Sequence, residues 1–159
     1  MKITKTNAMR LLDTHEIPYE VHSYPHKKDD PVDGQHVALA LNEPFEQVYK
    51  TLVLMDKESN YFVFMCPVHA ELDLKKCAQA AHVKSLSMLP LKDLTKITGY
   101  IRGGCSCLAM KKQFPTWIHE DALCYDTIFL SAGKIGMQIE MNPEKLFDVI
   151  DIHASDIIM

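Results

Sequence analysis

The chain has 159 residues, 47% of them hydrophobic and 24% charged, with a formal net charge of −4. That balance suits one soluble domain, residues 1–159, with a core of its own, and excludes non-specific wrapping of duplex DNA while leaving room for a local basic face toward RNA. Five cysteines, an odd number, behind an N-terminus with no apolar run read as reduced thiols in a cytoplasmic protein, and no stretch approaches the ~20 apolar residues of a membrane span.

Thr4 or Thr6 can cap a first helix whose apolar positions Ala8, Leu11 and Leu12 follow helical spacing, and Pro18 closes it. Tyr19 to Tyr24 alternates as a strand does. The stretch 26–34, with Lys27, Lys28, Asp29, Asp30 and Pro31, reads as a mobile loop. Asp33 caps a short helix over 35–41, and Pro44 opens another turn leading to Lys50. Thr51–Met55 and Tyr61–Cys66 form a hairpin about the polar turn 56–60. Asp73 caps a helix over 74–82, a short strand follows over 83–88, and Pro90 starts a helix with Leu91, Leu94 and Ile97 on one face that ends at Gly99. Strands are expected at 116–119, 127–131 and 135–141, then a final helix from Pro143 through Ile150. Hairpins among interleaved helices imply a mixed sheet, so the expected fold is an α+β domain with a curled, barrel-like sheet flanked by helices.

The segment Thr98 to Lys112 carries the strongest local signal. Gly103 and Gly104 are adjacent, Arg102 precedes them and Lys111-Lys112 follows. Without a Cβ the backbone approaches a ligand closely, and successive amides in such a turn converge on an anion or a polarised carbonyl. The same pattern also serves as a tight surface turn. Lys50, at a helix-to-strand junction, reads either as a solvated strand edge or as an ammonium over a pocket at the sheet end. The run Ser131-Ala132-Gly133-Lys134-Ile135-Gly136 is a hairpin corner and lacks the spacing of a phosphate loop. Cys105 and Cys107 have no partner pair at finger spacing, so no structural zinc site is read there. A Cys105–His69 nucleophilic pair stays open on spacing alone, whereas His69 and His119 taken singly read as structural.

Taken in order, Tyr24, Val48-Tyr49-Lys50-Thr51-Leu52, His69 to Lys76, Thr98 to Lys112 and Ser131 to Gly136 resemble the YbaK family of aminoacyl-tRNA deacylases, related to the editing domain of prolyl-tRNA synthetases. The resemblance runs from about Ala8 to Ile150. It implies a trans-editing protein, with no metal and no cofactor, that removes cysteine or alanine from proline tRNA. Lys50, Gly103 and Gly104 are then the expected catalytic residues. The expected substrate contacts are Tyr24, Ser106, Cys107, Ser131, Gly133 and Gln138. The aminoacyl-tRNA is expected to meet Lys75, Lys76, Lys111 and Lys112, helped by prolyl-tRNA synthetase, with neither DNA nor a membrane as partner.

Two departures bear on specificity and activity. Cys107 stands where the family has the proline of its Gly-x-x-x-Pro loop, and Ala109 where a glycine is usual. Gln138 stands where the cysteine-specific branch carries an acid. In that branch the resemblance implies that the substrate's own thiol attacks its ester; an alanyl ester would need a bound water. The alternatives from other classes are a degenerate module that binds a tRNA acceptor end or a synthetase without hydrolysis, and a cysteine-dependent hydrolase built on Cys105 and Cys107.

Overall fold

A computed structural model describes residues 4–26 and 33–159. The mobile loop expected over 26–34 lies largely outside the described residues.

Helix α1, Asn7–Thr14, is capped by Thr6, whose hydroxyl accepts from the Met9 amide, and it buries Ala8, Met9 and Leu12. Strand β1, Glu20–Ser23, follows. Asp33 caps α2, Gly34–Leu41, which ends at Asn42 in the left-handed region. After a 3-10 turn over Phe45–Gln47 come β2, Tyr49–Met55, and β3, Tyr61–Pro67. Asp73 caps α3, Leu74–Ala81. The strand expected over 83–88 contracts to β4, Ser87–Met88. A 3-10 turn at Leu91–Asp93 then runs into α4, Leu94–Thr98, with Gly99 as its left-handed terminus.

Strands β5, Thr116–His119, β6, Ile128–Ser131, and β7, Met137–Met141, lie close to expectation. The final helix does not form as an α-helix: Pro143–Asp148 is a 3-10 segment, and an unforeseen strand β8, Ile152–Ser155, follows it.

The curled, barrel-like form expected of the sheet is not confirmed. The strands form two sheets, β1-β7-β6 and β4-β2-β3-β5-β8, that do not close on each other. The first is antiparallel throughout; in the second, β3–β5 and β5–β8 are parallel. An isolated bridge, Val48 to Phe129, links the two sheets at the start of β2.

Side chains alternate across a strand, and β3 uses both faces. Val63 and Met65 enter the main core between the sheets and α1, whereas Phe64 joins Leu54, Cys77 and Trp117 beneath α3. A small third cluster, Ala38, Val48, Val68 and Phe129, seats α2 on the junction of the sheets. Lys50 therefore sits in β2 between Val48 under α2 and Leu54 under α3, on the face those two share.

Candidate functional site

Among the described residues the middle of β2 has no strand paired along its outer edge: β6 bridges to Val48, just before the strand, and β4 pairs at Leu54 and Met55. The gap opens into a cleft of about 700 Å³, bounded by the N-terminus of α2, the segment 88–94, the turn after Gly99 and the ends of β6 and β7. That volume accommodates a whole small ligand.

Of the residues expected at the site, the cleft brings together Lys50, Gly103, Ser131 and Gln138, with Cys105 and Arg102 beside them. Lys50 is half-buried and has no ion pair among the described residues. Ser131 and Gln138 are cross-strand partners on β6 and β7 and are both buried. The Ser131 hydroxyl accepts from the Gly133 amide at 3.1 Å, while the buried Gln138 Oε1 has no partner among the described residues. Thr51 Oγ1, from another residue lining the cleft, is likewise buried and unpartnered. Orphaned buried polar atoms are costly, and both of these belong to residues that line the cleft.

The glycine pair divides its labour. Gly103 has φ +83° and faces the cleft. Gly104 is buried and its amide is already donated to the Ile101 carbonyl at 3.0 Å. A Cβ on Gly104 would lie 3.2 Å from the Ile135 amide nitrogen and 3.3 Å from the Lys134 carbonyl carbon, so the residue is small because two backbones meet there. The amides of Gly103 and Cys105 have no backbone acceptor among the described residues; they, and not Gly104, are the donors available to a ligand.

The other expected contacts lie elsewhere. Ser106 is fully buried, its hydroxyl accepting from the Leu108 amide at 3.1 Å. Cys107 is fully buried in the main core, and burial pushes its thiol up to about 12. Tyr24 is buried, its hydroxyl without a described partner and outside the cleft lining. Gly133 packs under the Tyr100 ring. Lys76 donates to Asp156 and to the Ile158 carbonyl, each at 2.8 Å, which ties α3 to the end of the chain. Lys75, on the same helix, is exposed. Lys111 donates to the Lys96 carbonyl at 3.5 Å, and the Lys112 ammonium lies 5.9 Å from the Phe114 ring centre.

The cysteine alternatives draw no support from the surroundings of Cys105 and Cys107. Burial pushes the Cys105 thiol up to about 12, so it is protonated at neutral pH and a poor nucleophile. His69 is exposed and does not line the cleft. His119 is buried, its Nδ1 accepting from the Ile157 amide at 3.5 Å. Outside the cleft, Glu20, His22 and Glu140 place donor atoms within 4.8 Å of one another, but His22 and Thr127 already bond the Glu140 carboxylate, at 2.9 and 2.6 Å.

Tyr100 escaped the sequence reading. Its hydroxyl donates to the carbonyls of Leu108 and Ala109, at 2.5 and 3.3 Å, and its ring covers Gly133. It thus braces the glycine turn against the β6–β7 corner. Its signal was its place directly after the helix-ending Gly99.

Residues 33–149 match the family described as the aminoacyl-tRNA editing domain. The chain belongs to that family. A relative in Enterococcus faecalis, EbsC, named as a candidate Cys-tRNA(Pro)/Cys-tRNA(Cys) deacylase, is 43% identical over 153 residues, 96% of this chain and 93% of that protein. Two crystal structures share the editing-domain fold. One is a candidate trans-editing enzyme for prolyl-tRNA synthetase, with TM-score 0.80 and 19% identity over 96% of this chain and 95% of that one. The other is hypothetical protein APE2540, with TM-score 0.86 and 15% identity over 97% and 100%. At these identities the two structures establish the fold alone.

Proposed function

We propose that this editing domain is a deacylase that removes a wrongly attached amino acid, cysteine or alanine, from proline tRNA in the cytoplasm, acting in trans as a single domain beside prolyl-tRNA synthetase. The observation that carries the reading is the grouping of Lys50, Gly103, Ser131 and Gln138 around one cleft that also presents free amides and two unpartnered polar atoms.

An aminoacyl ester is already activated, so positioning and charge stabilisation suffice. The Gly103 and Cys105 amides polarise the ester carbonyl, and Lys50 adds positive charge where the oxyanion develops. Gln138 Oε1 and Thr51 Oγ1 accept hydrogen bonds from the substrate's α-amino group. With a cysteinyl ester, the substrate sulfur bonds to the carbonyl carbon and the ester C–O bond breaks. The thiol proton passes to the departing ribose oxygen, leaving a cyclic thioester. With an alanyl ester, water takes the place of the sulfur and the free amino acid leaves.

A second reading, binding of an acceptor end without hydrolysis, draws on the glycine turn: Cys107 and Ala109 replace the proline and glycine the family resemblance leads one to expect. The test is deacylation of proline tRNA charged separately with cysteine, alanine, serine and proline, by the natural chain and by Lys50→Ala. Hydrolysis of a mischarged species that is lost in the variant supports the deacylase. No hydrolysis of any, with tRNA still bound, replaces it with the binding module.

A further inference from the structure

Charge along this chain is unevenly placed. Residues 84–112 hold six basic residues and one acid, Asp93, although the whole chain carries −4. This basic stretch includes one wall of the cleft. Lys92 lies in the 3-10 turn, Lys96 in α4, and Lys111 reaches back to the Lys96 carbonyl. Arg102 lines the cleft itself. All four are exposed, and among the described residues none pairs with a carboxylate.

The same wall is apolar where it meets the cleft. Met88 and Leu91 line it while remaining 48% and 56% exposed. Large aliphatic side chains held open beside cations suit a ligand with a flat apolar face and a charged backbone. Single-stranded nucleic acid has both.

Resting on the deacylase reading of the cleft, we infer that this wall is the docking surface for the single-stranded 3′ end of the tRNA. The terminal base lies on the Met88–Leu91 shelf. The phosphates that precede it follow Arg102, Lys96, Lys92 and Lys111, contributed by the 3-10 turn, α4 and the segment after Gly99. This places the ester at the polar end of the cleft, between Lys50 and Gln138. The surface contributes affinity and register rather than choice of amino acid, because phosphate contacts position a chain without reading its sequence.

The test measures binding of uncharged proline tRNA, with and without its terminal adenosine, across a salt series. Lys92→Glu with Lys96→Glu should weaken binding at least tenfold and flatten the log–log salt slope by about 1.4, from two lost contacts to a single strand. Lys57→Glu, in the β2–β3 turn, serves as the control of equal charge change and should leave both unchanged. Leu91→Asp should weaken intact tRNA tenfold or more and the truncated tRNA far less. Wild-type affinity and slope in the double variant, or equal losses on both tRNAs in Leu91→Asp, would overturn the surface. Failure of the deacylase reading is separate: it appears as tRNA binding that obeys these expectations with no mischarged ester hydrolysed.

Discussion

The Tyr100 hydroxyl donates to the carbonyl of Leu108 across the glycine turn that separates the two residues in sequence. The same ring covers Gly133 at the β6–β7 corner, so one side chain fixes the spacing between the amides of the turn and Ser131. Tyr100→Phe keeps the ring and removes the bond, leaving a buried carbonyl short of a donor at about 1–3 kcal/mol. We expect a lower urea midpoint and, in single-turnover deacylation, a reduced rate. A variant matching the natural chain in both would remove Tyr100 from the site's framework.

Ala109 sits at φ +57°, where an L-residue is strained by about 1–2 kcal/mol and glycine is not. Glycine loses more backbone entropy on folding, which offsets part of the relief. Ala109→Gly should therefore raise the stability by about 0.5–1 kcal/mol, or a few degrees in Tm. A fall in Tm would mean that the alanine methyl contributes more than its backbone costs.

The buried thiols predict alkaline instability. Burial pushes Cys66 up to about 11, and Cys77, Cys105 and Cys107 up to about 12, from 9.0. Tyr100 is raised from 10.0 to about 12 by the same cause. The unfolded chain loses these protons through 9.0 for the thiols and 10.0 for Tyr100 while the folded chain still holds them, so the stability they contribute is present at lower pH and is lost progressively as pH rises through that range toward about 12. Urea midpoints at pH 8, 9 and 10 should decline from the second value on; a flat series would contradict the burial of these thiols.

Because its thiol is protonated at neutral pH, Cys105 is not expected to act as a nucleophile. Cys105→Ser should keep its deacylation rate, and alkylation of the natural protein at neutral pH should be slow. Rapid inactivation by iodoacetamide, absent in the variant, would restore the cysteine-hydrolase reading.

Ile157 is fully buried in the cluster beneath α3, and its backbone accepts from the Asp73 amide at 2.9 Å. Ile157→Ala should cost about 2–5 kcal/mol, read as a drop in Tm. Loss of much less would mean that the chain end is not an integral layer of the fold.

Local chemistry was legible in the sequence. Thr6, Asp33 and Asp73 cap helices as their side chains allow, Gly99 ends α4 in the left-handed region, and the polar turn 56–60 joins β2 to β3. Each depends on groups a few residues apart. The family resemblance likewise came from ordered short blocks, Lys50 and the glycine pair among them.

What only the tertiary structure decided is which of those residues share a space. That Gly103 faces the cleft while Gly104 is sealed against the 134–135 backbone depends on a corner thirty residues away. Cys107 enters the core and Cys105 lines the cleft, a difference of one position on either side of Ser106. The two sheets, the outer edge of β2 and the strand β8 all arise from pairings between distant segments. A short segment such as Ile152–Ser155 carries no periodicity that names its partner. The sequence thus determined the helix caps, the turns and the chemical vocabulary of the site. Long-range strand pairing and burial decided which amides, hydroxyls and cations face the cleft, because those depend on contacts that no local spacing encodes.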